Sequence, residues 1–455
     1  MSREDHRSRP VPQARLARLA AFGQMGGGVA AGMIGEGLRR LARGERPALP
    51  DLLLTPTNAR RVTDQLSRLR GAAMKLGQML SMDAGDMLPP ELTAILSQLR
   101  DAAHVMPPAQ LSRQLAAAWG PDWRRRFAHF DPRPIAAASI GQVHRATLPS
   151  GQELAVKVQY PGVAASIDAD IDNVAMLLRI SGLLPAGLDV VPLLAEAKRQ
   201  LHEEADYRRE AAQMTRYADL LADDPRFVVP RPVEDMLHSA VIAMDYLPGS
   251  PIETLAHAPE AQRQAALAAL LDLVLREVFD FGLMQTDPNF ANFRWQAKTG
   301  RIVLLDFGAA RPVTNETASA YRALLTAALS DDLPSIRQAL LSAGFVSEAQ
   351  YVRHGQAIDA MLRLLLDRIT SSRHALFDFA ERRFVERLRA LVAPLVADRA
   401  SWALPPADLL FAQRKIGGIA LLFVSMGAQL PLADLLAPYA AWPSAPHIPT
   451  DQHCR

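Results

Sequence analysis

The chain of 455 residues balances 50 basic against 48 acidic side chains, scattered rather than run together, so it carries no electrostatic footprint for nucleic acid. A hydrophobic fraction of 49% allows a full core, and the length allows two or three domains. Its one cysteine, Cys454, excludes a disulfide framework, a Cys-based zinc site and a cysteine nucleophile, and fits a reducing compartment.

The first ten residues are polar and include acids, which is not the start of a secretory leader. Residues 19–33 are rich in Gly and Ala and flanked by Arg15, Arg18, Arg39, Arg40 and Arg43. They read as a loop joining two short helices or as a segment resting on a membrane surface. A helix is expected from the N-caps Thr57 and Asn58, with Val62, Leu66, Leu69, Ala73, Leu76 and Leu80 on one stripe. Lys75 and Gln78 lie on a neighbouring face, and spacing alone makes that face a solvated one. Pro89-Pro90 opens another helix to about residue 100, a short helix is expected over 111–119, and 130–134 reads as a rigid linker.

The composition then changes. Residues 135–146 read as loop and strand, Pro149-Ser150-Gly151 as a turn and 153–158 as a strand. Alternation sets Leu154, Val156 and Val158 on one face and Lys157 on the other. Helices follow over 161–184 and, as one long charged element, over 190–221. A kinase-like lobe needs one acid on such a helix to pair the strand lysine. Glu203, Tyr207 and Glu210 share a face there, whereas Glu204 stands roughly opposite Glu210 and cannot do the same job. Residues 227–230 and 239–244 read as strands, and 245–249 as a connector. Around Met244 and Tyr246, adenine would meet backbone N–H and C=O groups. A helix over 259–281 leads into residues 284–308.

That stretch holds Asp287, Asn292 and the tripeptide Asp306-Phe307-Gly308, with a turn at Lys298-Thr299-Gly300 between strands. The order suits phosphoryl transfer. One carboxylate orients the attacking hydroxyl or water, and an amide oxygen with a second carboxylate holds Mg2+ on nucleotide phosphates. The run 416–424 is apolar but too short to span a membrane. Beyond Pro312 the sequence reads as helical to the end, with segments over 315–329, 333–343, 347–369, 373–396 and 406–427.

Taken in order, these elements give an α+β, protein-kinase-like bilobal fold, with a small mixed β-sheet N-lobe, a largely helical C-lobe and an N-terminal helical extension. The expected boundaries are a tail and Gly/Ala-rich segment over 1–50, the extension over 51–130, the N-lobe over 131–248, the C-lobe over 249–440 and a tail over 441–455. Two departures stand out. Ala136, Ala137, Ala138 and Ser139 occupy the place of a glycine-rich loop, narrowing the backbone conformations open to it. No Ala-Pro-Glu follows Asp306-Phe307-Gly308, so the peptide platform of ordinary protein kinases is missing.

The chain resembles the UbiB-like atypical kinases of ubiquinone (coenzyme Q) biosynthesis, in their mitochondrial and alphaproteobacterial branch, over about residues 11–430. The resemblance rests on Lys75-Leu-Gly-Gln78, Ala136-Ala-Ala-Ser-Ile-Gly-Gln-Val-His144, Val156-Lys-Val-Gln-Tyr-Pro-Gly162, Glu204-Ala-Asp-Tyr-Arg-Arg-Glu210, Met284-Gln-Thr-Asp-Pro-Asn-Phe-Ala-Asn292 and Asp306-Phe-Gly308. It implies that Lys157, paired with Glu210, contacts the nucleotide phosphates, that Asp287 is the catalytic-loop aspartate, and that Asn292 and Asp306 bind Mg2+. The Ala-rich loop would cover ATP or ADP. Lys75 and Gln78 would lie over the site near Glu204 and Asp206, as regulatory elements where a peptide would otherwise dock. The implied activity is an ATP- and Mg2+-dependent kinase or a lipid-stimulated ATPase that supports ubiquinone synthesis at a membrane surface. The alternatives are a kinase of a prenylated phenol or lipid, and a nucleotide-sensing scaffold. The implied partners are a membrane lipid or quinone precursor and quinone-biosynthesis enzymes, with room for a homodimer. The implied location is cytoplasmic, peripheral on the inner membrane.

Overall fold

The computed structural model describes residues 105–180, 191–287, 289–371, 375–398 and 406–440. Lys75, Gln78, the Gly/Ala-rich segment and Cys454 lie outside the described residues. The chain divides into two compact units. One comprises the residues up to Asp219, Val229–Leu247 and Asp306–Ala309; the other comprises Leu220–Val228, Pro248–Leu305 and the chain from Ala310 onward.

The first unit opens with α1 (Pro108–Trp119), where Pro108 stands at the first helical position and its missing N–H costs nothing. An antiparallel sheet follows, built from β1 (His129–Ala137), β2 (Gly141–Thr147) and β3 (Glu153–Gln159). The expected rigid linker over 130–134 is therefore strand. Pro132 and Pro134 mask it in the sequence, but among the described residues β1 is an edge, where a residue without an N–H breaks no ladder. The register slips on both sides of Pro134. Gly141 sits opposite Gln159 at the start of β2. A β-carbon there would lie 2.4 Å from the carbonyl oxygen of Val158, so only glycine fits. On β3, Leu154, Val156 and Val158 are wholly buried, and Lys157 is buried on the opposite face.

Helix α2 (Val163–Ile180) packs on α3 (Val191–Glu204). The single long helix expected over 190–221 is in fact two, α3 and α4 (Tyr207–Leu220). Asp206 makes the break: its Oδ1 accepts the backbone N–H groups of Arg208 and Arg209, capping α4. In a run of charges that aspartate reads as one more solvated side chain. After β4 (Phe227–Val228), which belongs to the second unit, β5 (Val241–Asp245) completes the first sheet beside β3.

In the second unit β6 (Ser250–Pro251), β8 (Phe293–Gln296) and β9 (Arg301–Leu304) form a sheet with β4, which lies parallel to β9. Helix α5 (Glu260–Phe279) precedes β7 (Leu283–Gln285), which pairs with β10 (Ala310–Pro312). Helices α6 (Asn315–Leu329), α7 (Leu333–Ser342) and α8 (Glu348–Ser371) close on a core that includes Leu333, Ile336, Ile358 and Leu362. The helix expected over 373–396 starts later, as α9 (Arg382–Ala397), because β11 (Phe377–Asp378) pairs with β12 (Gln429–Leu430). The apolar run 416–424 is part of a longer helix, α10 (Ala407–Met426), and α11 (Leu432–Ala440) follows it. By length and composition Asp408–Met426 could cross a membrane, yet 56% of its most apolar window is buried within the protein. An antiparallel-sheet unit and a largely helical one make up the α+β, protein-kinase-like class.

Candidate nucleotide site and catalytic loop

In the first unit β3 and α4 bring Lys157 and Glu210 together. The Lys157 Nζ donates to both Glu210 oxygens, at 2.8 and 2.9 Å, and to Asp306 Oδ2 at 3.4 Å. Its ammonium lies over the Tyr207 ring, 5.1 Å from the centroid. Burial pulls the lysine pKa down, but Asp306 and Glu210 outweigh it and hold the group well above the usual lysine value. Burial pushes Glu210 up to about 7, while Lys157 pulls it back. Lys157 therefore remains a cation, with more carboxylate around it than one charge requires. An arriving phosphate would find it already positioned.

Asp306 holds a left-handed backbone, φ 55°, a strained conformation for a residue with a β-carbon. Its Oδ1 accepts the Gly308 N–H at 3.1 Å, which leaves Oδ2 as the edge turned to Lys157. Phe307 is buried against Tyr217, and the Arg209 guanidinium donates to the Gly308 carbonyl at 2.6 Å. The turn that presents Asp306 is thus fixed on both sides.

The four small residues divide between strand and turn. Ala136 and Ala137 end β1 with exposed side chains, the Ala138 N–H donates to the Gly141 carbonyl, and Ser139 Oγ donates to Glu204 Oε2 at 2.7 Å. Glu204, the last residue of α3, therefore ties the Ala-rich turn while Glu210 of α4 ties Lys157, so the two acids differ in role because they stand on different helices and not on opposite faces of one. Asp206 serves the backbone as the α4 cap. At the connector, Met244 is buried in β5, and the Tyr246 N–H donates to the Glu153 carbonyl at 3.0 Å. That amide, expected to face adenine, is spent within the sheet, and the Tyr246 ring lies under the Arg145 guanidinium.

Asp287 and Asn292 belong to the second unit. Asp287 follows β7, and its Oδ1 accepts the Asn289 N–H at 3.2 Å. Asn289 in turn caps a short 3-10 turn, Phe290–Asn292, by accepting from the Ala291 N–H. Asn292 points its amide NH2 at the Asp287 carbonyl, at 3.4 Å, and its own carbonyl accepts from the Leu305 N–H at 2.8 Å. This leaves the Oδ1 side of the Asn292 amide for a cation. A single oxygen from an amide and another from a carboxylate suit Mg2+, which takes its remaining ligands from phosphate and water. Among the described residues no group of three or more His, Cys, Asp or Glu could hold a metal by itself.

Sequence reasoning missed Lys415 and Glu277, which lie beside Gln285 ahead of the Asp287 loop, both 1% exposed. The signal was a lysine inside the apolar pattern of α10, which could as well have been a solvated position.

Residues 98–340 match the family described as ABC1 atypical kinase-like domain. Atypical kinase COQ8, mitochondrial, of Saccharomyces cerevisiae is 37% identical over 94% of this chain and 85% of its own length. Atypical kinase COQ8B, mitochondrial, of the rat is 35% identical over 94% of this chain and 81% of its own. Among solved structures, Rv3197 of Mycobacterium tuberculosis in complex with erythromycin superposes with a TM-score of 0.59 at 28% identity, covering 85% of this chain and 97% of that one. The chain belongs to the ABC1 atypical kinase-like family.

Proposed function

We propose that this atypical kinase binds ATP or ADP with Mg2+ and uses ATP in support of ubiquinone biosynthesis at a membrane surface. The observation that carries the reading is Lys157, held by Glu210 and faced by the strained Asp306. Lys157 neutralises phosphate charge and Glu210 keeps its ammonium in place. Asp306 and Asn292 are the residues that would each offer Mg2+ a hard oxygen. Bound Mg2+ supplies charge neutralisation on the phosphates. Asp287, its Oδ1 tied to the Asn289 N–H, orients the attacking hydroxyl or water and receives its proton.

The missing peptide platform and the alanine turn favour a small acceptor or water over a protein chain. The quinone assignment is supported by the motifs from Lys75 to Gly308 and by relatives named mitochondrial atypical kinases. Peripheral attachment to a membrane and work beside quinone-biosynthesis enzymes belong to the same reading. The test is phosphate release from ATP by wild type and Asp306→Asn, with quinone levels in a deletion strain carrying each. Mg2+-dependent turnover and quinone restoration by wild type alone support the reading. Equal turnover by both proteins would overturn it.

A further inference from the structure

We propose that Lys415 of α10, together with Glu277 of α5, is a positioning residue for the catalytic loop, gripping Gln285 and so setting where the Asp287 carboxylate stands. The proposal rests on the reading of Asp287 as the catalytic-loop aspartate. Gln285 is the last residue of β7, paired with Ala310 of β10, and only Thr286 separates it from Asp287. In Gln285-Thr286-Asp287 it occupies the place of the histidine in the H-R-D of protein kinases.

Gln285 is held at both ends. Lys415 Nζ donates to its Oε1 at 2.8 Å, and its backbone N–H donates to Glu277 Oε1 at 3.3 Å. Lys415 Nζ also lies 4.0 Å from Glu277 Oε2 and 4.9 Å from the centre of the Phe293 ring. Two helices thus clamp a residue two positions before Asp287. The charge reaches further, since Asp287 as well as Glu277 favours the ammonium form, against the burial that pulls the Lys415 pKa down.

A role for the pair as a merely stabilising ion pair is disfavoured by energetics. Two charges taken wholly out of water lose hydration that a 4.0 Å separation recovers poorly. An apolar pair of similar volume would often hold the helices as well or better. What apolar residues could not do is donate to Gln285 Oε1 and present a positive charge behind Asp287. A carboxylate displaced by about 1 Å can cost on the order of 10²-fold in rate.

The test compares full-length wild type, the double variant Lys415→Met with Glu277→Leu, and Lys415→Arg. Thermal unfolding is recorded with and without Mg2+–ADP, and kcat and KM are measured for ATP. The double variant is expected to melt near wild type, to keep its Mg2+–ADP shift and KM, and to lose kcat by about tenfold to 10²-fold. Lys415→Arg, which keeps a charged donor, is expected to recover most of that loss. A folded double variant with wild-type kcat overturns the proposal. If the double variant does not fold, Gln285→Met decides the matter: reduced kcat at unchanged KM supports the proposal and wild-type kcat overturns it. Asp287→Asn is assayed alongside. Activity that survives Asp287→Asn sinks the catalytic-loop reading itself, whereas its loss there with full kcat in the Lys415 variants overturns only this inference.

Discussion

Both units bury a lysine against a glutamate, and the two pairs differ in what else surrounds the ammonium. Lys157 meets both oxygens of Glu210 at 2.8 and 2.9 Å and has a second carboxylate, Asp306, at 3.4 Å. Lys415 has its glutamate at 4.0 Å and a neutral amide oxygen at 2.8 Å. Asp306 keeps about a third of its side chain exposed, whereas Lys415 and Glu277 are both closed off. The carboxylates around Lys157 hold it above its usual pKa, and burial takes Lys415 below its own. The cation proposed to receive a phosphate is kept charged by carboxylates, one of which, Asp306, is partly exposed. A cation that must hold a loop is sealed and spends its strongest hydrogen bond on that loop.

The comparison can be broken at several points. The largest effect is expected at Lys157. Lys157→Met should lower ATP turnover by about 10²–10³-fold, the loss seen when a pre-aligned charge partner is removed, as checked by phosphate release. Glu210→Gln keeps the shape and removes the charge that anchors Lys157. It should cost less than Lys157→Met and raise the KM for ATP more than it lowers kcat. A variant in which KM is unchanged would separate Glu210 from the nucleotide site. Asp206→Ala removes the α4 cap and should cost about 1 kcal/mol in urea unfolding. Because α4 carries Glu210, a small rise in the KM for ATP should accompany that loss.

The smallest effect concerns His144, far from this chemistry in role. Burial holds its pKa below the usual 6.5, and its ring stacks on Phe130. The ring lies between the Asp131 carbonyl, which accepts from Nδ1–H, and the Gln142 amide, which donates to Nε2. The unfolded chain therefore binds a proton more readily than the folded one below pH 6.5. Stability should be full above that pH and decline as pH falls through the lower folded pKa. His144→Gln should flatten this part of the curve in thermal melts taken at successive pH values.

Lys157 was legible because it sits on a strand with strict alternation, followed in order by an acidic segment and by Asp287, Asn292 and Asp306. The choice of Glu210 among the acids of that segment came only with the family resemblance. The helix break at Asp206 was not legible, since capping depends on a side chain folding back on its own backbone, and an acid among acids gives no sign of that. Edge strand β1 was hidden for a related reason. Pro132 and Pro134 exclude a central strand, and only the sheet order reveals that β1 is the edge of its sheet among the described residues. The Tyr246 amide reads as a ligand contact because it follows an apolar strand at a hinge, yet here the Glu153 carbonyl takes it. Lys415 was invisible because 130 residues separate it from Gln285. No local pattern marks a partner brought in by tertiary packing.

The central claim is that Lys157, Glu210 and Asp306 form a Mg2+–nucleotide site. Calorimetric titration of ADP into wild type and Asp306→Asn, each with Mg2+ and with EDTA, tests it most directly. Wild type should bind ADP much more tightly with Mg2+, and Asp306→Asn should lose this dependence while remaining folded. Equal Mg2+ dependence in the two proteins would contradict it.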